Sequence, residues 1–437
     1  MPETAEPRTR RRQSGATAES RWESISRRQR VVSVTDPARA RESMRQARER
    51  ASSVWSSLDG TGRPESGWAY YVILACVIFL TATGLTMVLS ASAVESISKD
   101  MSPISLFTKQ AVWAVVGFAF MFGLSRVPVA FLRKLAWPGY FIAIILLVLV
   151  LSPLGVEVNG NRNWLSLGPL SMQPSEPAKL ALALWTAFIL ERKQRHLGDW
   201  KQTAAPVFGM GALVIGLVLA GHDLGTSMIL GSVLLTALWA SGVQKRLVGI
   251  TVGAVGFIGI ILALTSSNRS DRIQAWLGHG CDTSGLCDQA QAGLTALARG
   301  NWFGVGLGQS QVKWSWLPEA HNDFVFAIIG EELGFVGTAV IVAAFAVLTL
   351  VSLRVVLRYD DVFIRVAGSC IIVWIALQAM VNIAMVLGVI PVIGIPLPFI
   401  SYGGSALTFT LAAMGILLSF ARHDRGSRRR TERTTRP

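Results

Sequence analysis

Apolar runs of bilayer length alternate with short polar ones along most of this chain. About 20 consecutive apolar residues cross a membrane as a helix, and residues 68–94 and 135–156 contain no charged side chain. Read onward, the pattern predicts ten spans, at about 68–90, 110–125, 135–154, 175–190, 204–220, 224–242, 247–265, 324–353, 363–388 and 404–421. The predicted class is an all-α polytopic membrane protein, its membrane domain covering residues 68–421. One connection stands apart: residues 266–323, between the seventh and eighth spans, are long and polar. Long connections of that kind tend to carry function.

Alternate short loops hold the basic residues: Arg126, Arg133 and Lys134; Arg192, Lys193, Arg195 and Lys201; Lys245 and Arg246; Arg354, Arg358 and Arg365. Positive loops stay in the cytoplasm. Both termini are therefore expected inside, with 91–109, 155–174, 266–323 and 389–403 outside. Composition agrees, since 51% of residues are hydrophobic and 16% charged, against about 25% charged in a soluble domain. The formal charge of +14 sits mostly in the tails, where residues 1–67 hold 14 Arg against 9 acids and residues 421–437 hold 7 Arg against 2. Basic tails beside an apolar body suit the anionic cytoplasmic leaflet, so no nucleic-acid partner is expected. Residues 1–67, poor in large apolar side chains, read as a disordered cytoplasmic tail, and 422–437 as a second basic tail.

Some chemistries are excluded at this point. No His, Cys or carboxylate cluster has zinc spacing, and no phosphate-binding glycine loop is present, so a nucleotide-driven pump is not predicted. Cys76 and Cys370 fall inside spans as packing residues. Cys281 and Cys287 share the outer loop, where a local disulfide and two free thiols are equally open. Gly249 and Gly253 form a small-residue pair expected to pack within the chain.

The informative residues are polar groups at membrane boundaries, where an ionisable side chain is costly and defaults to a functional candidate. Glu176 and Lys179, three apart at the start of the fourth span, share a helix face, as an active pair or as an ion pair with Lys179 reaching for the surface. Ser175 looks like the start signal of that helix. Asp223, after His222, is at least as well explained as a helix cap. Asp323 sits where the long loop enters the membrane: water reaches it while apolar neighbours lower the dielectric, a setting that suits a general base. By position alone a helix cap explains it equally well. On a helix from 323, Glu331 would lie about 12 Å deeper than Asp323 and roughly 80° round, with Glu332 on the opposite face. The two cannot both join Asp323 in one site.

Five segments together resolve the ambiguity. They are Asn159-Gly160-Asn161-Arg162-Asn163-Trp164; Gln173-Pro174-Ser175-Glu176-Pro177-Ala178-Lys179; His222-Asp223-Leu224-Gly225-Thr226; Leu317 to Phe324 running to Gly330-Glu331-Glu332-Leu333-Gly334; and the run Pro391 to Ser405. They resemble the SEDS family (shape, elongation, division and sporulation), and the resemblance covers roughly residues 70–421. The stretch Gly306 to Ser310 leading into Ala320-His321-Asn322-Asp323 is closer to the division members than to the elongation members, and the long basic N-terminal tail fits them too. This chain departs at His222, where Pro is usual, at Pro177 and Asn322, and in the spacing of Arg162 from Trp164.

The resemblance implies ten spans and polymerisation of lipid II, an undecaprenyl-pyrophosphate-linked disaccharide-peptide, at the outer face of the cytoplasmic membrane. It also implies a class B penicillin-binding transpeptidase and other division membrane proteins as partners, at the septum. Carried over, Asp323 is the catalytic carboxylate, and Lys179, Glu176, Arg162, Trp164, Ser401 and Tyr402 bind substrate. Lys179 and Arg162 are expected at the diphosphate, with Glu176 orienting Lys179. No cofactor is firmly expected; a divalent ion (Mg or Mn) bridging diphosphate and Asp323 is possible chemistry. The alternatives are a lipid II flippase, an elongation-type polymerase, and a scaffold that only recruits the transpeptidase. Flipping would need polar groups through the bilayer midplane, where Gln378 and Asn382 are the main exceptions to an apolar interior.

Overall fold

A computed structural model describes residues 66–434, apart from short internal stretches, chiefly 99–101, 197–199, most of 254–266, 279–285 and 313–321. The N-terminal tail, most of the seventh predicted span, Cys281 and the Cys287 side chain lie outside the described residues, and so do the expectations made for them. The helices in chain order are α1 (Ser66–Ser98), α2 (Ser105–Leu124), α3 (Val129–Leu151), α4 (Ser175–Arg192), α5 (Trp200–Ala220), α6 (Leu224–Ser241), α7 (Ser267–Trp276), α8 (Leu286–Gly300), α9 (Val325–Val356), α10 (Val362–Val386) and α11 (Gly404–Thr434). Seven of them, α1, α2, α3, α6, α9, α10 and α11, are long and apolar enough to cross a membrane. A shorter apolar stretch, Ala205–Ala220, lies in α5. Helix α4 has 18 residues but carries Glu176, Lys179, Glu191 and Arg192. It is sheltered instead by its neighbours α3, α6 and α10.

Two connections read as loops, both expected outside, prove to be folded. Residues 155–172 form an antiparallel sheet, β1 (Gly155–Val158), β2 (Asn161–Leu167) and β3 (Leu170–Met172), in the order β1-β2-β3. Leu165 pairs with Gly155 on one side and Met172 on the other. Gly160, at φ 78, turns the first hairpin, as expected of an Asn-Gly pair between β-forming residues. The sheet is a small addition to a fold that is otherwise helical, as expected of an all-α polytopic membrane protein.

The long loop 266–323 likewise contains α7 and α8. Helix α8 runs alongside the start of α9. Gly293 meets Phe324, and a Cβ on Gly300 would overlap Gly330 O, one on Gly304 would overlap Glu332 O and one on Gly334 would overlap Gly304 N. Gly334, at φ 69 and ψ −168, kinks α9 there. Glu331 binds the returning chain, accepting from the Ser310 hydroxyl and from Gln311 N at 3.2 Å. Glu332 accepts from Ser90 Oγ at 2.6 Å. Both acids are therefore structural.

Helix α10 is central, packed on α4, α6, α9 and α11. The opposite end of the bundle from the sheet is tied by Arg133, which donates to Glu191 at 2.7 Å and to Asp361, and by Arg365, which donates to Ala240 O at 3.1 Å. The basic loops gather at that end. Cys370 is buried and its thiol donates to Val233 O at 3.4 Å. A Cβ on Gly249 or Gly253 would meet nothing within 4 Å, so the close helix packing expected of that pair is absent among the described residues.

Candidate functional site

A cavity of about 880 Å³ opens where the sheet end of the bundle meets the starts of α4, α6, α9 and α11. Glu176, Lys179, Asp223, Arg272 and Asp323 supply its charged groups, and Asn161, Asn163, Gln173, Asn322 and Gln378 its side-chain amides. Trp113, Trp164 and Tyr402 supply its aromatic faces. The elements that place them come from residues 113 to 406, so the site is assembled by the fold and not by one segment.

Asp323 is not the N-cap residue of α9; Phe324 takes that position, without a side-chain cap bond of its own. Asp323 is held by its main chain, whose carbonyl accepts from Asn382 Nδ2 at 2.8 Å. A side chain added at Gly394 would begin 3.4 Å from Asp323 Oδ2 and 3.8 Å from Arg272 Nη1. An acid and a guanidinium thus approach one point, which stays open because residue 394 is glycine, at φ 76. Arg272 is brought there by α7, clipped to the chain after α10 by Arg272 Nη1 donating to Val392 O at 3.3 Å and Trp276 Nε1 donating to Gly388 O at 2.8 Å.

Glu176 and Lys179 form the expected pair, at 2.9 Å, but each residue is only 2% exposed, so Lys179 does not reach for the surface. Its ammonium also donates to Gln378 Oε1 at 3.1 Å and lies 4.7 Å from the Trp374 ring centre. Glu176 Oε2 is buried without a hydrogen-bond partner. Pro174 takes the N-cap position of α4, which puts Ser175 inside the first turn instead of capping it.

Asp223 does cap its helix. Oδ1 accepts from Thr226 N at 2.9 Å, while Oδ2 accepts from Thr226 Oγ1 at 2.8 Å, Gln173 Nε2 at 3.1 Å and Asn163 Nδ2 at 3.2 Å. It fastens the sheet to α6. His222, beside it, has φ 65 and lines the cavity.

Two expected substrate ligands are elsewhere. Arg162 turns back to donate to Ser152 O at 2.8 Å, and its own N–H donates to Gly221 O at 3.0 Å, because it pairs with Glu157 on the sheet and not with the cavity wall. Ser401 is buried, its hydroxyl accepting from Leu397 N at 2.7 Å, so it closes the turn before α11. Trp164 and Tyr402 line the cavity as expected. Arg272 was missed by sequence reasoning, although Arg272 and Trp276 sit four apart, as two residues gripping one partner from a single helix face would. Among the described residues no three His, Cys, Asp or Glu side chains stand together as a metal cage.

Residues 70–426 match the family described as cell cycle protein, which joins FtsW, RodA and SpoVE. A probable peptidoglycan glycosyltransferase FtsW of Mycobacterium tuberculosis is 39% identical over 390 residues, 88% of this chain and 74% of that protein. The stage V sporulation protein E of Bacillus subtilis is 36% identical, covering 81% and 97%. Among solved structures, the rod shape determining protein RodA of Thermus thermophilus superposes with a TM-score of 0.60 at 28% identity, over 80% of this chain and 95% of that one. A chain from a structure described as the coordination of polymerization and crosslinking by a peptidoglycan synthase complex gives 0.63 at 29%, over 80% and 97%. The match spans every helix that builds the cavity, and the chain belongs to the FtsW/RodA/SpoVE family of cell cycle proteins, the SEDS family.

Proposed function

We propose that this chain is a peptidoglycan glycosyltransferase that polymerises lipid II into glycan strands at the outer face of the cytoplasmic membrane during division. The observation that carries the reading is the meeting of Asp323 and Arg272 at one open point of a large cavity that Lys179 also lines. The names of the relatives support it, and FtsW names at up to 39% identity favour the division role over the elongation role.

The chemistry assigns each group a task. The acceptor's 4-hydroxyl attacks the donor's anomeric carbon, the new glycosidic bond forms, and the bond from that carbon to the diphosphate breaks. Asp323 takes the hydroxyl proton. Arg272 stabilises the departing diphosphate, a role transferred from Arg162, which faces away. Lys179, oriented by Glu176 and Gln378, adds positive charge behind it. Trp164 and Tyr402 offer flat faces to sugar rings. A divalent ion, Mg or Mn, would be held jointly by Asp323 and the substrate's diphosphate.

A class B penicillin-binding transpeptidase and other division proteins are the proposed partners, at the septum; a neighbouring structure's description as a peptidoglycan synthase complex supports the first. The purified chain with its transpeptidase and lipid II in detergent, where sidedness is lost, tests the reading. Polymer from the wild type and none from Asp323→Asn is the expected result. Equal polymer from both would remove Asp323 as the base. Headgroup translocation in vesicles with no polymer under any condition would make the chain a flippase.

A further inference from the structure

Trp374, Gln378 and Asn382 recur every fourth residue, so they share one face of α10 and step about 6 Å along it. Both amides on that face are held by bonds that fix their orientation. Gln378 Oε1 accepts from Trp374 Nε1 at 2.8 Å and from Lys179 Nζ at 3.1 Å, and its Nε2 donates to Pro396 O at 3.0 Å. Asn382 Nδ2 donates to Asp323 O at 2.8 Å and to Ile395 O at 2.7 Å. Neither amide can flip without facing donors with donors or carbonyls with a carbonyl.

The consequence is geometric. One turn of α10 holds Lys179 of α4; the next holds Asp323 ahead of α9; both are pinned to consecutive residues, Ile395 and Pro396, of the same cavity wall. Asn382 leaves its own Oδ1 buried without a partner, so satisfying itself is not what fixes its orientation. We propose that Gln378 and Asn382 are positioning residues: together they set the distance between the reacting carboxylate and the buried cation across the cavity. Asn382 acts on Asp323 and therefore on the chemical step; Gln378 acts on Lys179 and therefore on holding the diphosphate. This rests on the reading of Asp323 as the base.

The two roles separate kinetically. With the full chain, its transpeptidase and lipid II in detergent, initial polymerisation rates are measured across lipid II concentrations. Asn382→Ala should lower kcat about 100-fold, the loss expected of a displacement of about 1 Å, with KM within about twofold. Gln378→Met should raise KM about tenfold, one charge-assisted contact's worth, with kcat within about threefold. Its effect should disappear when Lys179 is already Met. Asn382→Asp, equal in size but with no donor for the two carbonyls, should reproduce the alanine phenotype, and unfolding temperatures in detergent report the fold of each variant. Wild-type polymer with unchanged constants in both variants overturns the proposal and leaves the polymerase reading standing. So does an equal fall of kcat in both that tracks a lowered unfolding temperature, because that is a purely structural role. If the wild type makes no polymer, the polymerase reading fails and the proposal with it.

Discussion

Asp223 and Asp323 line one cavity, and each stands at the start of a helix, yet the fold uses them in opposite ways. Asp223 is the N-cap of α6 and its carboxylate is consumed by Thr226, Asn163 and Gln173. Asp323 stands one residue before the N-cap of α9, and its carbonyl accepts from Asn382 Nδ2. Its carboxylate is turned toward the glycine at 394 and the neighbourhood of Arg272. An offset of one position against the helix start thus separates a carboxylate that caps its own helix from one that stands beside Gly394 on the cavity wall. Identity and burial alone would not distinguish them.

The largest expected effect tests that separation directly. Asp323→Asn keeps the shape and the Asn382 contact but removes the base. Polymerisation should fall about 1000-fold, within the range for loss of a general base, with the unfolding temperature unchanged. Asp223→Ala should invert the pattern. It removes a helix cap and leaves the Asn163 and Gln173 amides short of an acceptor, a loss of about 2–3 kcal/mol in stability. Thermal unfolding in detergent should therefore shift by several degrees, and any activity lost should return at lower temperature. If Asp223→Ala abolished turnover at full stability, the comparison would be wrong and both acids would belong to the chemistry.

A smaller effect is expected at the point between acid and guanidinium. Gly394 has φ 76, and a Cβ there would stand 3.4 Å from Asp323 Oδ2. Gly394→Ala should cost about 1 kcal/mol in backbone strain and lower kcat about tenfold by crowding the carboxylate. An unchanged kcat would mean that the open point is not where the reacting atoms meet.

How far this was legible beforehand follows from what each feature depends on. The membrane class and the place of Asp323 at the start of an apolar helix rest on local hydropathy, which can be read along the chain. Glu176 and Lys179 rest on helical spacing, equally local. The sheet had a signal in Asn159-Gly160 flanked by Val156, Val158 and Trp164, but strands of 4 and 7 residues inside a membrane protein are easily taken for loop. Arg272 had almost none. Its helix owes its position to acceptors at Gly388 and Val392, more than 100 residues away, so only the folded chain brings it to Asp323. Ser401 fails for a related reason. A motif residue that closes a turn looks, in sequence, the same as one that touches substrate.

The smallest predicted effect is the sharpest check on the cations. Arg162 and Arg272 each donate from the guanidinium to a backbone carbonyl, Ser152 O and Val392 O respectively. Charge count treats them alike. Geometry does not, since Arg162 sits behind the sheet whereas Arg272 lines the cavity. Arg162→Ala should thus leave KM for lipid II within about twofold of wild type, its cost limited to about 1 kcal/mol for one lost hydrogen bond. Arg272→Ala in the same assay should raise KM at least tenfold, and Arg272→Lys should recover only part of it, because a point charge cannot grip a diphosphate in two places. Equal effects from the two alanine variants would mean that net outer charge, and not the placed guanidinium, is what draws the diphosphate in.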